Sequence, residues 1–390
     1  MSFRENRKSI YIYIILCILC GFITSIIIYL YSNLWLKIRI CIISIFDLIY
    51  LYIFFFLKKT TVIKRIIVSL TIINIMAIPI ISIINEYSFR NSTNYGWKKI
   101  SKFPVLGNLK TGSFFDPYVV KVDNEFYIYF SDRKNWCIAL SKSSDGINWS
   151  SPIPVLRSSV NNNWEKVINR ASILYKDGKF LMWYTGQSGG KSSIWYAESN
   201  DGITFKKNDK NPILVPELDF EWESIMNPDV IYDDSSNLYK MYYAAGEQYE
   251  PDCIGYAESN DGIHRKKKNT PILEKSENYD GYDYFKVWAT DVHIMDNGMY
   301  VMFYIWYTDI NTARIMFAIS DDGIDRRRDK NYLIQSTKFW FDGDAVYKPS
   351  VLYNKQENKW MMRYNWRLSN REYIGYAECI KCFFNEVLLQ

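Results

Sequence analysis

The feature that most limits what this chain can fold into is a phrase, Ser-x-Asp-Gly-Ile, that occurs four times: Ser143 to Ile147, Ser199 to Ile203, Ser259 to Ile263 and Ser320 to Ile324. A recurrence every ~55–60 residues marks one supersecondary unit repeated along the chain. Asp-Gly favours tight turns with positive φ, so Asp145, Asp201, Asp261 and Asp322 read as turn formers.

The repeated unit reads as all-β. Tyr127 to Phe130, Phe180 to Tyr184, Tyr239 to Tyr243, Tyr300 to Tyr304 and Trp360 to Tyr364 are aromatic and apolar runs. They are too short for helices and suit buried strands. After each comes a second strand pattern, such as Ile194 to Ser199 or Ile254 to Ser259, and before each lies another apolar segment. Three strands are therefore clear, with space for a fourth. Four-stranded sheets repeated radially make a β-propeller, and five copies predict five blades across residues 91–390.

The 48% apolar content is distributed unevenly. Residues up to about Ile84 are dominated by Ile, Leu, Phe and Tyr, with three nearly uncharged stretches at 10–31, 40–57 and 66–84. About 20 apolar residues cross a bilayer, so residues 1–90 are expected to hold three transmembrane helices. The expected fold class is thus an all-β five-bladed propeller preceded by three transmembrane α-helices. Arg4, Arg7 and Lys8 precede the first stretch, and Lys58, Lys59, Lys64 and Arg65 separate the second from the third. Basic flanks stay cytoplasmic, which puts the chain in the cell membrane as a multi-pass protein with its propeller extracytoplasmic.

A formal charge of +5 is small for 390 residues. The basic runs at Lys206-Lys207, Arg265 to Lys268 and Arg326 to Arg328 follow the Asp-Gly-Ile turns and read as solvated loop tips; nucleic acid is not an expected partner. Only His264 and His293 are present, which excludes a histidine-rich metal centre, and no metal or organic cofactor is expected. Cys379-x-x-Cys382 could pair in an oxidising compartment.

Register on the aromatic runs aligns Asp116-Pro117-Tyr118-Val119, Arg170-Ala171-Ser172-Ile173, Asn227-Pro228-Asp229-Val230, Ala289-Thr290-Asp291-Val292 and Lys348-Pro349-Ser350-Val351. Just before the innermost strands, these phrases would converge on one mouth of the central channel. The column is polar where a core strand would be apolar. Desolvating like charges together raises their pKa and costs free energy, so a propeller built for stability alone has no need of it. Trp164, Trp222 and Trp288 lie upstream of blade starts, where a tryptophan can stack on the flat face of a ligand or wedge between blades.

Asp-Pro-x-Val, a turn, a Tyr-rich strand and then Ser-x-Asp-Gly-Ile-x-Trp at Ser143 to Trp149 resemble the five-bladed β-propeller glycoside hydrolases, the clan of arabinanases, β-xylosidases and invertases. The resemblance spans about Phe103 to Cys379. It implies that Asp116 activates water or attacks the sugar, and that Asp229 or Asp291 tunes pKa and position. The family's acid, a Glu beside Pro or Cys at a blade start, has no counterpart in the aligned column. The expectation is therefore that Asp116, Asp229 and Asp291 are catalytic, Asp291 donating the proton, with Glu223 or Glu247 as substitutes. Arg170, Asn227, Trp288, His293 and Lys348 are expected to bind substrate, an oligo- or polysaccharide. A membrane-anchored glycosidase is implied; a non-catalytic carbohydrate-binding propeller and a phosphorylase or transferase using Arg170 and Lys348 are the alternatives.

Overall fold

Long β-branched and aromatic runs that must bury both faces pair into antiparallel meanders, and the Asp-Gly and Asn-containing turns between them set the register. The computed structural model describes residue 81 and residues 83–382, apart from 109, 160–163, 248–250, 276–285, 310–311, 338–341 and 381. The chain divides into two units, Met1–Tyr87 and Ser88–Gln390. Among the described residues no helix is long and apolar enough to cross a membrane. The three expected spans lie outside the described residues, except for positions 81, 83 and 84.

A short strand β1 (Trp97–Lys99) precedes the blades. Blade 1 is β2 (Phe114–Val122), β3 (Glu125–Asp132), β4 (Cys137–Ser143) and β5 (Ile153–Arg157). Blade 2 is β6 (Val167–Lys176), β7 (Lys179–Ser188), β8 (Lys191–Ser199) and β9 (Lys206–Lys207). Blade 3 is β10 (Ser224–Asp233), β11 (Leu238–Gly246) and β12 (Cys253–Ser259), edged by β13 (Lys266–Lys267) and β14 (Leu273–Glu274). Blade 4 is β15 (Lys286–Ile294), β16 (Tyr300–Asp309) and β17 (Thr312–Ser320), edged by β18 (Arg327–Arg328) and β19 (Ile334–Gln335). Blade 5 is β20 (Ala345–Asn354), β21 (Lys359–Leu368) and β22 (Arg371–Ile380). Its fourth strand is β1, which pairs antiparallel with β22 through Trp97 opposite Cys379. The ring is therefore closed by a segment from before the first blade. The innermost strands β2, β6, β10, β15 and β20 touch their neighbours in cyclic order.

The recurring phrase proves to be a clasp between blades. Within each turn the Ser hydroxyl accepts the Gly N–H, as Ser143 does from Gly146 at 2.8 Å. The Asp carboxylate accepts the next two N–H groups, as Asp145 does from Ile147 and Asn148 at 2.8 Å each. In three of the four turns the Gly carbonyl then accepts from the middle strand of the preceding blade: Gly202 from Tyr129, Gly262 from Trp183 and Gly146 from Arg363; Gly323 accepts from Arg326 of its own turn. Blade 5 lacks the phrase. In its place Cys379 and Cys382 form a disulfide, packed with Trp97 and Phe303 in one apolar cluster.

The aligned phrases lie inside the innermost strands, a correction to their expected position just before them. Each contains a bulge at the same point: the ladder skips between Phe115 and Tyr118, Asn169 and Ser172, Met226 and Asp229, Trp288 and Asp291, and Tyr347 and Ser350. The first bulge residue has positive φ in all five blades: Asp116 52°, Arg170 56°, Asn227 51°, Ala289 53° and Lys348 45°. Pro117, Pro228 and Pro349 follow at a position outside the ladder, where a missing N–H costs nothing.

Candidate active site

The bulge splits the predicted column into two rings, because residues two apart along a strand end at different depths once the ladder skips. The first ring holds Asp116, Arg170, Asn227, Ala289 and Lys348; the second holds Tyr118, Ser172, Asp229, Asp291 and Ser350. Non-glycine residues in the left-handed region cost on the order of 1–3 kcal/mol each and cluster where a site is pre-arranged. Five in one ring mark this end of the axis.

The second ring staples neighbouring blades together. Ser350 accepts the Val119 N–H, Ser172 that of Val230, Asp229 that of Val292, and Asp291 that of Val351. Asp229 and Asp291 thus stand where serines suffice in two other blades. Asp229 also accepts from the Tyr118 hydroxyl at 3.2 Å, and Asp291 lies 2.8 Å from His293 Nε2. His293 packs edge-on against Phe303 and Trp360. Asp291 and His293 line a cavity of about 540 Å³ bounded by the far ends of the inner strands, together with Tyr118, Asp233 and Tyr300.

Asp116 belongs to a different and larger cavity of about 950 Å³, bounded by the starts of the inner strands and by hairpins such as β21–β22. Arg133, Arg170, Arg367, Asp344 and Glu372 share it, with Trp288 and Tyr307 as a wall. The two aromatic rings are stacked, 6.1 Å between centroids and 3° from parallel. Arg170 Nε lies 3.3 Å from Asp116 Oδ2, and Arg133 Nη2 lies 3.0 Å from Glu372 Oε2. Neither contact is aligned as a hydrogen bond, so Asp116 Oδ2, Arg170 Nε and Glu372 Oε2 are buried with that capacity unfilled. The Tyr347 hydroxyl donates to the other Glu372 oxygen. Burial raises the Asp116 carboxyl above its ordinary pKa against the pull of Arg170, Lys348 and Arg133. Burial likewise raises Glu372, opposed by Arg133 and the Tyr347 hydroxyl.

The structure therefore brings Asp116, Arg170 and Trp288 together at the mouth and takes Asp229, Asp291 and His293 elsewhere. Asn227 is fully buried, its backbone N–H held by Thr185 and both side-chain amide atoms without a partner. Lys348 is buried between the rings, donating to the Thr290 carbonyl at 3.1 Å. Glu223 is two-thirds exposed beside Lys191, and Glu247 pairs with Lys286. Neither lines the mouth. Nothing in the sequence singles out Glu372, which sits in a hairpin of the blade that lacks the recurring phrase.

Burial and the neighbouring Asp291 charge raise Asp229 from 3.8 to about 7. Asp291 also raises His293 against the opposing effect of burial. A carboxyl with its folded pKa raised makes the folded state bind more protons than the unfolded one between about pH 4 and pH 7, so stability falls as pH rises across that window. A histidine raised by its partner stabilises below its unfolded value and loses this contribution as pH rises through the folded one, in the same direction. Asp229→Asn keeps an acceptor for Val292 and removes the charge. It is expected to be more stable than wild type at pH 8, by about 4 kcal/mol at most, and to lose this advantage at pH 4. Chemical denaturation of both proteins across that range checks it; a gap that does not change with pH contradicts it.

The sequence matches the profile of the glycosyl hydrolases family 32 N-terminal domain over residues 133–278, from the end of β3 through blade 3. Asp116 and Glu372 lie outside that match. No curated protein sequence matches the chain. A solved structure titled glycoside hydrolase superposes with a TM-score of 0.60 at 17% identity, covering 76% of this chain and 94% of its own. An endo-arabinase from Bacteroides thetaiotaomicron has a TM-score of 0.56 at 15% identity, covering 70% and 95%. An N-acetylgalactosamine deacetylase from F. plautii has 0.54 at 13%, covering 74% and 94%. The likeness is one of fold, and one fold can host several chemistries, so function rests on the mouth.

Proposed function

We propose that this chain is a glycosidase that hydrolyses a glycan in the mouth cavity, with Asp116 and Glu372 as its paired carboxyl groups. The observation that carries this reading is two buried carboxyls, each with raised pKa, facing one open cavity beside a stacked Trp288–Tyr307 wall. The partial profile match and the shared fold support it. Arg170, beside Asp116, favours its ionised form. Asp116 takes a proton from water as the water oxygen bonds to the anomeric carbon. The glycosidic C–O bond breaks, and Glu372, held by Tyr347 and Arg133, gives its proton to the leaving oxygen. Such acid–base assistance contributes about 10²–10⁴-fold in rate. Asp229 and Asp291 are assigned to holding blades 3, 4 and 5 in register.

The enzyme is further proposed to be a multi-pass protein of the cell membrane, anchored by the three apolar stretches at 10–31, 40–57 and 66–84, with the propeller extracytoplasmic. The Cys379–Cys382 disulfide suits an oxidising compartment.

The Arg170–Asp116 contact favours a second reading, a sugar-binding propeller in which the arginine merely neutralises the aspartate. Incubating the full chain with a glycan panel in ¹⁸O-water separates the two. Hydrolysis predicts new reducing ends carrying one heavy oxygen; glycans bound and recovered intact mean binding only.

A further inference from the structure

We propose that the mouth cavity accepts an anionic glycan, recognised through a carboxylate or phosphate group by Arg367 together with Arg170 and Arg133. This rests on the mouth being the glycan site. The two paired arginines are oriented by aromatic rings: the Arg133 guanidinium lies 4.6 Å from the Phe115 centroid, and that of Arg170 lies 5.8 Å from that of Trp288. A guanidinium laid on a ring has its plane fixed and its N–H edge free to bond a planar or tetrahedral oxyanion. Arg170 donates through Nη1 to Met226 Sδ at 3.2 Å while its Nε is buried without an aligned hydrogen bond, and Arg367, half-buried on the same wall, has no ion-pair partner among the described residues. Asp344, its lining neighbour, accepts the Ser369 N–H through Oδ2 and makes no ion pair with Arg367 among the described residues. Lys348 stands behind this wall as a fourth cation, close enough to act on the Asp116 carboxyl.

A neutral sugar needs no arginine such as Arg367 standing in the cavity wall without a carboxylate partner. Burial also favours the uncharged form of Glu372, the proposed proton donor, which leaves the neighbouring Arg133 less compensated. A buried donor without a partner costs free energy until an acceptor arrives, and an ionised acceptor regains the most.

The test is retention of the full chain on an array of acidic and neutral glycans, with Arg367→Gln alongside and inorganic phosphate as competitor. Acidic glycans retained at least about tenfold better than their neutral counterparts, with the preference lost in Arg367→Gln, is the expected result. Competition by millimolar phosphate identifies a phosphate-like group; preference abolished by methyl-esterifying the glycan identifies a sugar carboxylate. Equal retention of acidic and neutral glycans, an unaltered preference in Arg367→Gln, or no retained glycan together with no phosphate-induced rise in Tm, overturns it. A neutral glycan cleaved without charge preference leaves the hydrolase reading intact and removes only this one. An acidic glycan held but never cleaved does the reverse.

Discussion

Asp116→Asn is expected to lower kcat by about 1000-fold or more while the Kd for the glycan changes only a few-fold, because asparagine fills the same space but cannot take a proton from water. The fold should tolerate it, since Asn accepts the positive φ of 52° at this bulge and keeps the N–H bonded to Asn365 at 2.7 Å. Asp229→Asn is the comparison that gives the result meaning. If Asp229 only staples blade 3 to blade 4, its variant should retain kcat within about tenfold while changing the pH dependence of stability. Equal losses of kcat in both variants would place the chemistry along the axis instead of at the mouth, as the aligned column taken alone suggests. Steady-state kinetics with binding by calorimetry gives all four numbers.

The largest expected effect on folding comes from Gly375→Ala. Gly375 lies in β22 beneath Trp366, and a Cβ there would sit 2.7 Å from Trp366 Cδ1 and closer still to its Nε1 and Cε2. Trp366 is fully buried among Trp360, Tyr364 and Tyr373, so its ring has nowhere to retreat. Overpacking of this kind costs about 3 kcal/mol or more, which for a unit of this size lowers Tm by about 6 °C. The same aromatic-over-glycine pairing occurs in blade 2, where a Cβ at Gly186 would lie 2.5 Å from Trp195 Nε1. Gly178→Ala is the control: its turn is open, with nothing within 4 Å, and only its positive φ of 76° opposes the substitution, at about 1 kcal/mol. Thermal unfolding of the three proteins ranks them, and a Gly375→Ala Tm within a degree or two of wild type contradicts the packing described for blade 5.

What the sequence made legible is what repeats. Ser-x-Asp-Gly-Ile announces itself because four copies do one local job, holding the same turn, whose glycine carbonyl meets the preceding blade in three of them. The five aromatic runs are legible for the same reason. β1 was not foreseen because Trp97, Lys98 and Lys99 carry no periodicity, and their pairing with β22 is a long-range closure. The aligned column was found, but its division was not. Spacing alone cannot show that a bulge after Asp116, Arg170, Asn227, Ala289 and Lys348 separates them from residues two further on. Asp229 and Asp291 therefore looked like partners of Asp116, although their carboxylates are spent on Val292 and Val351. Glu372 was invisible for the opposite reason, being a single residue on one hairpin with no counterpart in the other blades. Individual placements of this kind are where pattern stops and coordinates begin.

A crystal structure of the Asp116→Asn chain with a glycan that the wild type cleaves tests the placement of the chemistry most directly. The predicted result is a sugar ring against Trp288 with its glycosidic oxygen within hydrogen-bonding reach of Glu372 and its anomeric carbon facing residue 116. A glycan seated instead in the cavity of Asp291 and His293, with the mouth empty, would contradict it.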